Sequence, residues 1–228
     1  MASDAIAALL FDLDGTLIDS MPHHGAAWVE WHRRRALPFD AATFFERTAG
    51  RANEEILSEM MPTTGPREIA AAAEEKEQLY RAIAARELTA IAGFDAVHRR
   101  ARERGLRLAI CTAAPPANMA IAFQRFGLAR LVDTVVSPAD GLRGKPHPDL
   151  FLEAASRLGV APAACVVFED APLGIEAARR AGMRAVALTT SLPPSAFAEY
   201  PNVLACVRDF AAFDLDTLFD PTARVAHS

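Results

Sequence analysis

Five short apolar runs, each closed by polar or glycine-containing turns, punctuate the chain at residues 5–11, 106–111, 131–136, 165–168 and 184–188. Runs of this length, apolar at successive positions, are how strands buried on both faces of a parallel sheet read. Between most of them the pattern changes to a helical period, at residues 94–104, 118–126, 149–158 and 174–181. Gly105, Gly127, Gly159 and Gly182 stand just past these segments, where a helix end turns left-handed. Strands alternating with crossover helices predict an α/β fold with a doubly wound, Rossmann-like parallel sheet.

The interval between the first two strands departs from this rhythm. Residues 21–87 are far more than one crossover needs, and they read as helix at 21–35, 41–48, 53–61 and 67–86, punctuated by Pro38, Gly50, Pro62, Gly65 and Pro66. The expected organisation is an inserted all-α helical cap domain over 21–89, within a core built from 1–20 and 90–228. The insert would enter near Ser20 and return near residues 90–94, so that it could hinge over whatever binds beyond the first strand. After Thr189, with Pro193, Pro194 and Pro201, the chain reads as an edge segment and no more.

At 228 residues, 51% hydrophobic and 23% charged, the chain can bury a core, and neither repeats nor low-complexity tracts interrupt it. A net charge of -5 leaves no broad basic surface, so nucleic acid and anionic membranes are not expected partners, although a small anion could find a local positive pocket. The first apolar run ends at Asp12, too short for a membrane span and without a basic leader, so a cytoplasmic protein is expected, its oligomeric state open with a monomer favoured. Cys111, Cys165 and Cys206 show no CxxC spacing and read as buried free thiols rather than a disulfide or zinc site.

In an open parallel sheet, ligands bind beyond the carboxyl ends of the strands. Here the first strand ends in Phe11-Asp12-Leu13-Asp14-Gly15-Thr16, the second in Cys111-Thr112-Ala113-Ala114, and the fourth apolar run in Phe168-Glu169-Asp170. Lys145 lies in the connection before that last run, in Gly144-Lys145-Pro146-His147-Pro148-Asp149. Four acidic side chains converging on one sheet edge repel one another unless a cation joins them, and oxygen ligands suit Mg²⁺. The Thr112 hydroxyl, the following backbone amides and the Lys145 ammonium supply a cradle for a phosphoryl group. A carboxylate nucleophile, a metal and such a cradle are the parts of phosphoryl transfer. Taken singly, an Asp-x-Asp is also a plain turn, Lys145 a solvated loop lysine and Thr112 a strand-end hydroxyl; together and in order they favour the chemical reading.

These four motifs resemble those of the haloacid dehalogenase superfamily of aspartate-nucleophile phosphotransferases. The resemblance runs from about Ile6 to Leu188, and the long helical insert after the first motif is similar to the β-phosphoglucomutase-like branch with its small helical cap. It implies that Asp12 attacks phosphorus and becomes an aspartyl-phosphate, while Asp14 acts as general acid and then general base. It also implies that Asp12, the Asp14 backbone carbonyl and Asp170 hold Mg²⁺, with Glu169 a further direct or water-mediated ligand. Thr112, the Ala113 amide and Lys145 would then grip the phosphoryl oxygens.

For the insert, the resemblance places His24 near the entrance of the active site, with Trp28 following at helical spacing, and gives Lys76 a substrate contact. Read from the residues alone, His23 and His24 fit a surface equally well, and Glu74-Glu75-Lys76-Glu77 fits a solvated helix face. Where the mutases of this branch carry a distal-phosphate arginine, the equivalent here is Asn53, with Arg51 two residues earlier. The expected activity is therefore a Mg²⁺-dependent phosphatase acting on a small sugar or polyol phosphate, with a sugar-phosphate mutase as the alternative. Dehalogenase or phosphonate chemistry would not need Asp14, and no motif residue is replaced as a binding protein without catalysis would allow.

Overall fold

The computed structural model describes residues 5–48 and 51–219, so Gly50, one of the expected helix breaks, lies outside the described residues. In chain order the elements are β1 (Ala8–Phe11), α1 (Met21–Arg34), α2 (Ala41–Thr48), α3 (Asn53–Met60), α4 (Pro66–Glu87), α5 (Phe94–Glu103), β2 (Arg107–Cys111), α6 (Pro116–Phe126), β3 (Thr134–Val136), α7 (Asp149–Leu158), β4 (Cys165–Glu169), α8 (Pro172–Arg180), β5 (Arg184–Leu188) and β6 (Val203–Val207). The chain divides into two compact units, one from Met1–Asp19 and Ala90–Ser228, the other from Ser20–Thr89.

The first unit is built on a parallel sheet of strand order β3-β2-β1-β4-β5-β6. This is a doubly wound order, and the direction of winding reverses between β1 and β4, which opens a crevice beyond their carboxyl ends. Phe11 is in register with Ile110 of β2 and Phe168 of β4. The residues that follow Phe11 and Phe168 therefore leave the sheet side by side at that crevice.

Both faces of the central strands are covered. Phe11 stacks on Phe168 at 4.9 Å between ring centroids, and Phe94 and Phe210 meet Phe11 edge-on. On the opposite face Leu10, Ala109 and Val167 pack with Phe151, Ile175 and Ala178 of α7 and α8. A large-to-small change in such a site typically costs about 3–5 kcal/mol. The strand ends that carry the polar motifs thus stand on a rigid floor.

Three helix starts differ from the expectation for one reason. Helices α4, α6 and α8 begin at Pro66, Pro116 and Pro172, one or two residues before the apolar period suggests. Proline reads as a breaker, yet in the first turn its missing N–H has no intrahelical partner to lose. Strand β1 starts at Ala8 rather than residue 5, and β3 is confined to Thr134–Val136, beyond a 3₁₀ turn at Leu128–Arg130. The segment after Thr189 contributes β6, whose residues pair along β5 and form the edge of the sheet. The three cysteines are free and buried as expected, and burial pushes the Cys165 thiol up to about 11.

The second unit is all-α. Trp28 and Trp31 of α1 pack with Ile56 and Leu57 of α3 and Ile69, Ala72 and Ala73 of α4, and the Trp31 indole donates to the Ala72 carbonyl at 3.2 Å. Among the described residues no helix is long and apolar enough to cross a membrane.

Candidate active site

At the end of β1 the Asp12 amide still continues the ladder, donating to the Phe168 carbonyl at 3.0 Å. The chain then folds back sharply: the amides of Thr16, Leu17 and Ile18 all point at the Leu13 carbonyl, and Gly15 donates to the Ile18 carbonyl at 2.8 Å. Gly15 makes this turn with φ +76, and a β-carbon there would lie 2.1 Å from Asp170 Oδ2. Only glycine serves on both counts. The turn keeps Asp12 buried at the sheet edge and leaves Asp14, two residues on, only partly covered.

Beside it, β4 delivers Glu169 and Asp170. Glu169 is anchored at the start of α8: the Ala171 amide donates to its Oε2 at 2.8 Å, and its carboxylate lies over Gly174, where there is no side chain to exclude it. Asp170 accepts a hydrogen bond from the Ser191 hydroxyl. Lys145 reaches in from the β3–α7 connection, donating to Asp12 Oδ1 and, at 2.5 Å, to Glu169 Oε1. From β2, the buried Thr112 donates its amide to the Val136 carbonyl at 3.0 Å, and its hydroxyl oxygen accepts from the Ala114 amide at 2.9 Å. Ala113 between them is exposed.

Charge and burial oppose each other here. Asp12, Glu169 and Asp170 are 6%, 1% and 4% exposed, little enough that water cannot screen them from one another. Burial, together with Glu169 and Asp170, holds the Asp12 carboxyl well above the usual carboxylate range, although Lys145 pulls it down. Burial and then Glu169 push Asp170 up to about 8, with Asp14 adding in the same direction. Burial by itself would lower the Lys145 ammonium, but Asp12 and Glu169 more than reverse this and keep it protonated.

Three buried carboxylates facing one ammonium leave a deficit of two positive charges when all are ionised. Hard oxygen donors with that deficit fit Mg²⁺, which keeps several waters and needs only one or two carboxylates from a protein. Among the described residues no three His, Cys, Asp or Glu side chains are already gathered into a metal-binding group. The fit therefore rests on the chemistry of Asp12, Asp170 and the Asp14 carbonyl, with Glu169 partly engaged by Lys145.

The helical unit holds its own polar set. His24 stacks on Tyr80 with ring centroids 3.8 Å apart, and Lys76 Nζ lies 3.1 Å from His24 Nδ1. Lys76 also pairs with Glu77 Oε1 at 2.5 Å, the oxygen to which Asn53 donates at 2.5 Å. The solvated-face expectation for residues 74–77 fails at two of its four positions, because Lys76 and Glu77 are buried while Glu74 is exposed. Both fall on the face of α4 that Ile69, Ala72, Ala73, Tyr80 and Ala84 bury, a spacing visible in the sequence once the charges are set aside. Arg51 is held elsewhere, by Glu59 at 3.0 Å. Glu77, Thr190 and Ser191 are polar residues that the motif reading missed.

A model of the haloacid dehalogenase-like hydrolases matches residues 6–182. Validoxylamine A 7′-phosphate phosphatase of Streptomyces hygroscopicus subsp. limoneus is 33% identical over 83% of this chain and 89% of its own. Hexitol phosphatase A of Escherichia coli is 35% identical over 78% of this chain and 81% of its own, and β-phosphoglucomutase of Bacillus subtilis 29% over 82% and 84%. Among solved structures, a family IA, variant 3 hydrolase from Entamoeba histolytica superposes with a TM-score of 0.85 at 25% identity, covering 92% of this chain and 96% of that one.

Proposed function

The chain belongs to the haloacid dehalogenase-like hydrolases, in the branch that includes β-phosphoglucomutase, and from that premise we propose a Mg²⁺-dependent phosphatase of small sugar or polyol monophosphates. The observation that carries the reading is the Lys145 ammonium held against Asp12 and Glu169 in a buried acid cluster at the switch point of the sheet. Relatives named for phosphatases of phosphorylated small molecules support the same substrate class.

In this reading a carboxylate oxygen of Asp12 attacks phosphorus and the P–O bond to the leaving group breaks. Asp14 gives the departing oxygen its proton. Water then attacks the aspartyl-phosphate, its proton passing to Asp14, and the Asp12 carboxylate is regenerated with inorganic phosphate. Lys145, the Thr112 hydroxyl and the Ala113 amide hold the phosphoryl oxygens and offset the charge that grows on them. Asp12, Asp170 and the Asp14 carbonyl would hold Mg²⁺, with Glu169 beside them. When bound, Mg²⁺ neutralises charge on the cluster and the phosphoryl group.

The mutase alternative shares every one of these parts and differs in the acceptor. A bisphosphate that must turn round needs a strong cationic grip on its distal phosphate. Here Asn53 is neutral and donates to a carboxylate, and Arg51 is committed to Glu59, which favours water as acceptor. His24 and Lys76 remain proposed substrate contacts of the helical unit. Three buried free thiols suit a reducing, cytoplasmic setting.

The test is a screen of sugar and polyol monophosphates for released phosphate, run in EDTA, Mg²⁺ and Ca²⁺. Release with Mg²⁺ alone is expected, since Ca²⁺ takes more ligands at longer distances and loosens in-line geometry. Undiminished turnover in EDTA would refute the metal assignment.

A further inference from the structure

The residues that follow β5 lie outside every motif that carries the reading above, yet they touch two of its parts. The Thr189 amide first ties the strand end to β6, donating to the Val207 carbonyl at 2.8 Å. Its two successors then turn toward the site. The Thr190 hydroxyl donates to the Gly15 carbonyl at 2.5 Å, and the Ser191 hydroxyl donates to Asp170 Oδ2. The three partners are packed together, since a β-carbon on Gly15 would lie 2.1 Å from Asp170 Oδ2 and 3.0 Å from Ser191 Oγ.

We infer that Ser191 is a positioning residue for the metal site, holding one carboxylate oxygen of Asp170 so that the other is presented to Mg²⁺. Thr190 does the corresponding work on the turn, fixing the carbonyl of Gly15, the residue that follows Asp14. The inference rests on the proposed Mg²⁺ reading and adds residues that neither the motifs nor that reading contain.

Its physical basis is rotameric. The Asp170 carboxylate can swing about its terminal torsion, which has a broad, two-fold profile. A hydroxyl donated to one oxygen removes that freedom before the cation arrives. Partners of this kind, one step removed from the metal, typically change metal affinity by about 10–100-fold when deleted. Ser191 sits on a segment tied to β6 on one side and to the β1 turn on the other, so it is itself held in place.

The experiment measures Mg²⁺ binding directly, by calorimetric titration of the metal-stripped full chain, for wild type, Ser191→Ala, Ser191→Thr and Asp170→Asn. Ser191→Ala should weaken binding about tenfold, and Ser191→Thr, which restores a hydroxyl, should recover most of it. With Mg²⁺ saturating, KM for p-nitrophenyl phosphate should stay near the wild-type value in both. Should the alanine protein fail to fold, Ser191→Cys keeps the size with a weak donor and is expected to lose affinity in the same direction. Wild-type affinity in Ser191→Ala, or a loss that threonine does not recover, overturns the positioning role while Asp170→Asn still confirms the metal site. Absence of Mg²⁺ binding by the wild type would instead remove the metal reading, and this inference with it.

Discussion

A β-carbon on Gly174 would lie 1.9 Å from Oε1 of Glu169, so the carboxylate of the fourth strand occupies the space that the first turn of α8 leaves empty. The atoms in the way belong to a buried side chain bonded to the Ala171 amide and to Lys145, so it gives way only by breaking those contacts.

Gly174→Ala should therefore lower stability and chemistry together. Alanine is the better helix former by about 1 kcal/mol, which offsets part of the strain. Displacing Glu169 from the Ala171 amide and from Lys145 is expected to cut kcat/KM by about a hundredfold or more, or about 2.7 kcal/mol in the barrier. Thermal melts alongside p-nitrophenyl phosphate kinetics check it. A large drop in Tm with unchanged activity of the remaining folded enzyme would contradict the placement.

Magnesium binding should depend on pH in a definite direction. Asp170 is pushed up to about 8 when folded, against about 3.9 in an unfolded chain, so between these values the metal-free native state keeps a proton that the unfolded state has lost. Metal-free stability from this group accordingly falls as pH rises through the window from about 4 to about 8. A cation that takes the ionised carboxylate must displace that proton, so its affinity climbs over the same window. The rise in Tm produced by Mg²⁺ should be greater near pH 8 than near pH 5.5. Equal shifts at both would remove Asp170 from the ligand set.

Asp14→Asn tests the acid–base assignment through the leaving group. General acid catalysis is worth about 10²–10⁴-fold where the departing oxygen needs a proton, and far less for an aryl phosphate whose phenolate leaves readily. The variant should lose much more activity on a sugar phosphate than on p-nitrophenyl phosphate. Equal losses on both would argue that Asp14 shapes the turn only.

Much of this was legible in the chain because strand ends in a parallel sheet write their chemistry locally. Asp12, Thr112 and Glu169-Asp170 each follow directly on a buried run, and the register Phe11–Phe168 sets two of those ends side by side. What stayed hidden depends on contacts distant in sequence. Ser191 meets Asp170 across a helix and a strand, and β6, an apolar run of the same kind as the other strands, was masked by Pro193, Pro194 and Pro201 before it. Lys76 and Glu77 were obscured by composition, since two charges on a buried helix face look like the exposed charges beside them until their mutual pairing is known.

The central claim, that Asp12 takes a phosphoryl group and passes it to water, is tested most directly by one time course. Inorganic phosphate and sugar isomerisation are followed together on β-glucose 1-phosphate and hexitol phosphates, with Mg²⁺ and a trace of sugar bisphosphate, for wild type and Asp12→Asn. Wild type should release phosphate from one or more of these substrates with little glucose 6-phosphate formed. Asp12→Asn should be slower by about a thousandfold or more, about 4 kcal/mol in the barrier, while keeping its fold by circular dichroism. Isomerisation outpacing release, or near-normal release from Asp12→Asn, would contradict the account.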